Sequence, residues 1–215
     1  GPESFTPDTN TLLGEVPEVK NFFVCCGLNS IGIGSGGGVG KVTAEWMMTG
    51  HINEDIFSYD IKRFQKFHSE LGFIKKRITE SLGDLYGMHW PFKQHKTSRN
   101  IKTLPYHENL KSFGACFGVS GGYERPMWFA LDGEKAKYEY SYNYQNWYPS
   151  VEYETTNTVK NVGLFDLTSF SKFEIISDKA HDELQRICTA NIKNEIGKCT
   201  YTHMLNSDGG IEADL

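Results

Sequence analysis

Residues 32–41 read GIGSGGGVGK, and six of these ten positions are glycine. The apolar stretch NFFVCC (21–26) precedes them and VTAEWMMTG (42–50) follows. This order predicts a strand over 21–26, a glycine loop, and a helix over 39–49 with Gly50 as its C-cap. Consecutive glycines permit positive φ and close backbone approach. A helix opening after them presents free N–H groups and the positive end of its dipole. Two readings follow: a contact for an electron-rich or anionic ligand, or tight packing of the helix on a sheet.

The formal phosphate-binding patterns do not fit. Gly32, Gly34 and Gly37 match G-x-G-x-x-G, but the polar sequence TGHINEDIFSYDIKRFQ follows. A dinucleotide-binding unit needs a second buried strand there, ending in an acid. For a P-loop, Gly40 and Lys41 are correct, yet Ser35 stands at the first glycine position and Val42 at the hydroxyl that holds magnesium.

Composition narrows the class. The 215 residues carry a net charge of −5, which gives no general attraction to nucleic acid or an anionic membrane. No apolar run approaches a membrane span, and no signal peptide is visible. The five cysteines have spacing that suits neither zinc nor a disulfide framework, so reduced thiols are expected. Both termini read as interrupted structure, so a piece of a longer polypeptide is expected.

Along the rest of the chain, residues 59–92 read as helical. One apolar stripe comprises Ile61, Phe64, Phe67 and Leu71; a second comprises Ile74, Ile78, Leu82 and Leu85. His68, beside the first stripe, reads as a packed or surface histidine. Beyond residue 97 the pattern gives a short helix near 105–112, a strand, a turn at GGYERPMWFA and an aromatic strand. The tyrosine-rich stretch KYEYSYNYQNWYPS reads as an aromatic strand against a helix layer, followed by a helix over 150–161. VGLFDLTSFSKFEIIS alternates and is β-like after Asp166. SDKAHDELQRICTANI is an amphipathic helix with Ala180, Leu184 and Ile187 on one face and Ser177 or Asp178 as cap. The C-terminal segment is a hairpin turning at residues 206–210. The fold class is therefore mixed, α+β or α/β. The seven histidines show no paired helical spacing with acids, so no metal site is expected. Asp166 favours a turn-capping role.

Taken in order, these segments resemble a known family. ESFTPDTNTLLGEVPEVKNFFVCCGLNSIGIGSGGGVGKVTAEWMMTG resembles the C-terminal part of the FAD domain of sarcosine and dimethylglycine dehydrogenases. GACFG, GGYERPMWF, YEYSYNYQNWY, VGLFDLTSFSKFEI and YTHMLNSDGGIEADL resemble the linker and first part of their folate domain. That domain is similar to the aminomethyltransferase of the glycine cleavage system. The resemblance implies an amine-oxidase-type FAD segment at 1–58, a helical linker at 59–102 and an incomplete aminomethyltransferase-like domain at 103–215. It implies that Thr6, Pro7, Asn29, Ser30, Gly32 and Ile33 lie beside FAD. It assigns Asn191, Tyr201, Leu205 and Asn206 to tetrahydrofolate. The implied reaction is oxidation of an N-methyl amine such as sarcosine or dimethylglycine, with one-carbon transfer to tetrahydrofolate. The implied location is the cytoplasm in a bacterium or the mitochondrial matrix in a eukaryote.

Two positions depart from the pattern. Simpler amine oxidases of this fold carry a lysine for the substrate carboxylate where Gly34 stands here. Close relatives read ANDV where this chain reads TANI, so Asn191 replaces a carboxylate, and an amide is no base. A non-catalytic protein of the same domain order, resembling the regulatory subunit of pyruvate dehydrogenase phosphatase, is the alternative.

Overall fold

The computed structural model describes residues 3–52 and 54–215. The chain divides into two compact units, ending at Ser169 and beginning at Phe170.

The first unit opens with a two-stranded antiparallel sheet. Strand β1 (Leu12–Glu15) pairs with β2 (Phe23–Cys26), with Leu12 opposite Cys26 and Glu15 opposite Phe23. Helix α1 (Gly32–Thr49) packs on this hairpin through Trp46, which meets Phe23 edge-on at 6.0 Å. Gly14 makes the approach possible. Its φ is +109°, and a Cβ there would sit 2.4 Å from the Trp46 ring. Gly50 ends α1 in the left-handed conformation, its N–H bonded to the Trp46 carbonyl at 2.9 Å.

The glycine run corrects the sequence expectation. The helix begins at Gly32, not at residue 39, so the run forms its first turns. None of its glycines has positive φ; Asn29 (+46°) and Ser30 (+67°) make the turn instead. Glycine is poor but not forbidden in a helix, at about 1 kcal/mol relative to alanine.

Residues 59–92 are also less helical than their periodicity implied. Two 3₁₀ turns, Ile61–Arg63 and Lys66–Ser69, precede α2 (Leu71–Leu85). The buried line of α2 runs through Phe73, Arg77 and Ser81 rather than through Leu82, which is exposed. Arg77 lies within 5.0 Å of the Phe73 ring and donates to the Thr97 carbonyl at 2.6 Å. A polar side chain on the buried face is invisible to a search for apolar stripes. His68 is packed, as expected: it stacks on Phe67 at 3.9 Å, and its Nδ1 accepts the Gln65 N–H at 3.0 Å.

Helix α3 (His107–Ser112) leads into β3 (Ala115–Ser120), which pairs antiparallel with β4 (Tyr123–Phe129). Gly121 and Gly122, both at positive φ, form the two-residue turn. Cys116 and Trp128, each nearly fully buried, face one another across the hairpin. Helix α4 (Tyr148–Lys160) starts two residues earlier than expected, with Pro149 in its first turn. It docks on β4 through Glu154, which accepts the Phe129 N–H at 2.7 Å.

The tyrosine stretch before α4 forms no strand. It folds as turns that gather an aromatic cluster: Tyr138 meets Trp147 at 4.9 Å and Tyr140 at 5.8 Å, and Trp90 meets Tyr142 at 4.8 Å. Its rings pack on one another, so no ladder is needed. The segment after Asp166 forms no strand either. Alternation yields a strand only when another strand takes its N–H and C=O groups. No strand ladder runs along it among the described residues, and Phe173 and Ile176 stand exposed.

In the second unit, α5 (Ala180–Ile187) is followed by the hairpin of β5 (His203–Leu205) and β6 (Ile211–Asp214). Its cap residue, Lys179, makes no side-chain capping bond. Ser177 braces the helix start instead, its hydroxyl accepting the Lys179 N–H at 3.2 Å and its carbonyl the Ala180 N–H at 3.0 Å. The hairpin turns where the sequence places it, with Asn206 N–H bonded to the Gly210 carbonyl at 2.9 Å.

Candidate functional site

The residues singled out near the N-terminus converge on one turn. Asn29, 1% exposed, accepts the Thr6 N–H at 2.9 Å and donates to the Gly27 carbonyl at 2.6 Å. Thr6, equally buried, donates its hydroxyl to the Asn10 carbonyl at 2.8 Å. These two side chains satisfy one another. They shape the turn from within. Asp8 fixes the same strap through a bidentate pair with Arg63, at 2.7 and 3.1 Å. Ser81 of α2 adds a hydrogen bond to the Pro7 carbonyl at 2.6 Å.

The turn separates two concavities. Asn29, Ser30, Gly32 and Ile33 line an open depression of about 350 Å³, together with Glu3, Ser4 and Leu28. Thr6 and Pro7 line a second, more apolar cavity of about 380 Å³, with Leu12, Ile61, Phe64 and His68 among its walls. Thr6 and Pro7 therefore line a different concavity from the other four flavin candidates, with Thr6 joined to Asn29 by hydrogen bonds.

The depression sits at the N-terminus of α1. Ile31, the cap residue, offers no side-chain hydrogen bond, and no acid lies in the first turn. The first hydrogen bond closing the helix runs from Ser35 N–H to the Ile31 carbonyl at 2.9 Å. The N–H groups of residues 32–34 thus lack intrahelical acceptors, as at any helix start. At Gly32 a Cβ would meet the Leu28 side chain at 3.0 Å, but the turns beyond are open. A Cβ added at Gly34, Gly36, Gly37 or Gly38 would meet no atom within 4 Å. Ser30 donates its hydroxyl to the Glu3 carboxylate. Sequence reasoning missed Glu3, because nothing in its local pattern ties it to a residue 27 positions on.

The expected folate residues all lie in the second unit and are dispersed there. Asn191 caps its own loop, accepting the Lys193 N–H at 3.1 Å. Tyr201, exposed, pairs with His203 at 3.1 Å. Asn206 is consumed by its turn, accepting the N–H groups of Asp208 and Gly210 at 3.1 and 2.8 Å. Leu205 is half-exposed on β5. No hydrogen bond joins Asn191 to the other three among the described residues.

A further polar cluster links α2 to the loop after it. Glu80 accepts Lys96 N–H at 2.6 Å, Thr97 N–H at 2.8 Å and the Thr97 hydroxyl. Lys93 reaches Asp84 Oδ1 at 2.6 Å. His95 Nδ1 faces both carboxylates, 3.9 Å from Glu80 and 3.7 Å from Asp84. Burial, and then the Arg77 guanidinium, hold His95 below the ordinary histidine value. For Glu80, burial would raise the carboxyl, but the Thr97 and Lys96 hydrogen bonds bring it below the usual range.

Residues 106–215 match the GCVT N-terminal domain, just over half of the chain. The chain belongs to this family. Residues 49–103 match the FAD dependent oxidoreductase central domain. Similar curated proteins include 4-methylaminobutanoate oxidase (formaldehyde-forming) of Paenarthrobacter nicotinovorans, 42% identical over 99% of this chain and 26% of the relative. The mitochondrial pyruvate dehydrogenase phosphatase regulatory subunit of Mus musculus is 35% identical over 99% of the chain and 25% of the relative. Mitochondrial sarcosine dehydrogenase of Mus musculus is 33% identical over the whole chain and 26% of the relative. The chain spans about a quarter of the length of these relatives. The chain thus carries both an FAD oxidoreductase segment and a GCVT segment. No helix among the described residues is long and apolar enough to cross a membrane.

Proposed function

We propose that this chain serves an FAD-dependent oxidoreductase acting on N-methyl amines, of the class of sarcosine, dimethylglycine or 4-methylaminobutanoate. It supplies one wall of the flavin site and the first part of a folate-binding domain. The carrying observation is the bare, glycine-built N-terminus of α1, lying directly ahead of the FAD oxidoreductase match. The N–H groups of residues 32–34 would face the electron-rich edge of the flavin, and the helix dipole favours negative charge there. Asn29 and Ser30, at positive φ, would bring backbone against the ring, with Ile33 beside it. Thr6 would act by holding Asn29. Bound FAD would supply the chemistry, accepting a hydride from the N-methyl carbon. Gly34 offers no cation for a substrate carboxylate, so carboxylate binding belongs to residues other than this one.

Tetrahydrofolate would meet Asn191, Tyr201, Leu205 and Asn206 in the GCVT domain and capture the released one-carbon unit. Asn191 can donate and accept hydrogen bonds but cannot serve as a carboxylate base. The location would be cytoplasmic in a bacterium and the mitochondrial matrix in a eukaryote.

The second reading is a non-catalytic regulatory protein, favoured by the 35% identity to the phosphatase regulatory subunit and by the amide at position 191. Steady-state assay of the intact protein with N-methyl amines separates the two. Turnover releasing formaldehyde, or methylene-folate when tetrahydrofolate is present, is expected. A flavin-free protein without turnover would establish the regulatory reading.

A further inference from the structure

The geometry points to a divalent transition-metal site formed by Glu80, Asp84 and His95. Glu80 and Asp84 are four residues apart on α2, so one helix face presents both carboxylates. The following loop returns over that face and sets the His95 ring against them. One ligand atom from each of the three residues lies within 4.8 Å of the other two, and His95 Nδ1 faces Glu80 Oε1 and Asp84 Oδ2.

The spacing is the main argument. At 3.9 and 3.7 Å, His95 Nδ1 is too far from either carboxylate for a hydrogen bond. Donors bound at about 2.1 Å to one zinc ion stand roughly 3.4–3.6 Å apart, whether tetrahedral or trigonal. The two distances from His95 Nδ1 are therefore within a few tenths of an ångström of that spacing, and the two carboxylates lie within 4.8 Å of one another. The donors are also held in place. Three donors from Lys96 and Thr97 fix Glu80, and Lys93 on Asp84 Oδ1 leaves Oδ2 turned toward the histidine. All three residues are partly buried, so the loss of hydration on closing the site is small.

One imidazole nitrogen with two carboxylate oxygens suits Zn²⁺ better than Ca²⁺ or Mg²⁺, which take all-oxygen shells. Three protein ligands leave a fourth position to water. Bound metal would pin the 93–97 loop to α2. Lys93 and Arg77 add positive charge nearby and oppose the metal, so affinity should be tunable through Lys93.

The test is calorimetric titration of the chain with Zn²⁺, with Cys25, Cys26 and Cys199 changed to serine to remove exposed thiolate ligands. One equivalent is expected to bind. His95→Gln and Asp84→Asn should each weaken binding at least about tenfold. Lys93→Met should strengthen it, an effect that damage to the fold would not produce. No binding, binding indifferent to His95 and Asp84, or weaker binding in Lys93→Met would overturn the assignment. None of these outcomes depends on the flavin reading, since the titration needs neither FAD nor turnover.

Discussion

Arg99 grips Glu124 through two parallel hydrogen bonds, Nε to Oε1 at 2.7 Å and Nη2 to Oε2 at 2.6 Å, with the glutamate 2% exposed. Asn100 N–H adds a third donor at 2.7 Å, and Arg99 also binds the Phe117 carbonyl at 2.9 Å. The pair ties the segment before α3 to both strands of the β3–β4 hairpin. Removing one partner strands a buried charge. Arg99→Met should therefore cost about 3–5 kcal/mol, read by urea unfolding; a loss under about 1 kcal/mol would place the pair among surface ion pairs.

The same pair sets a pH dependence. Burial would raise the Glu124 carboxyl, but Arg99, the Asn100 N–H and neighbouring charge hold it below the ordinary glutamate value. A depressed folded value means the unfolded chain binds the proton first. The contribution is full above the unfolded value of about 4.3 and is lost as pH falls through the folded one. Acid unfolding curves of Glu124→Gln should lack this component. Identical acid slopes in the two proteins would contradict it.

Gly14 should tolerate no side chain. In Gly14→Ala the methyl meets the Trp46 ring and the residue must keep a positive φ. A loss of about 1–3 kcal/mol is expected, measured by thermal unfolding. Full stability would mean that α1 can shift on the hairpin.

The glycines of α1 should behave in the opposite way. Gly36, Gly37 and Gly38 are exposed, helical and free of neighbours. Alanine at each should raise stability by about 0.8–1 kcal/mol. If they are kept bare for a cofactor, the same changes should lower flavin occupancy in the intact protein. Stability gained with flavin unchanged would leave the glycines without a ligand role.

The cysteines should differ in reactivity. Burial pushes the Cys116 thiol up to about 11, whereas Cys25 and Cys199 are exposed. Alkylation at neutral pH followed by mass spectrometry should label the latter two and spare Cys116 until the chain unfolds.

What was legible in the sequence was local. Gly50 announced its helix end, the 206–210 turn its hairpin, and the 107–112 helix its place, because turn and cap chemistry act within a few residues. Residues 32–38 misled because helix propensity penalises glycine while the packing of Trp46 carries the helix. The alternating segment after Asp166 misled because a strand is defined by the ladder it forms with a neighbouring strand. Thr6 and Asn29 were named separately; their mutual hydrogen bonds, across 23 residues, belong to tertiary structure. So does the approach of His95 to Glu80 and Asp84, since histidine–acid spacing along the chain gave no sign of it.

The most direct test of the central claim is anaerobic titration of the intact protein's flavin absorbance with sarcosine, dimethylglycine and 4-methylaminobutanoate. The account predicts a protein that holds FAD and is bleached by at least one of these amines. It also predicts that Asn29→Ala weakens FAD retention by loosening the turn ahead of α1. A protein that binds no flavin, or whose flavin none of the three reduces, would contradict it.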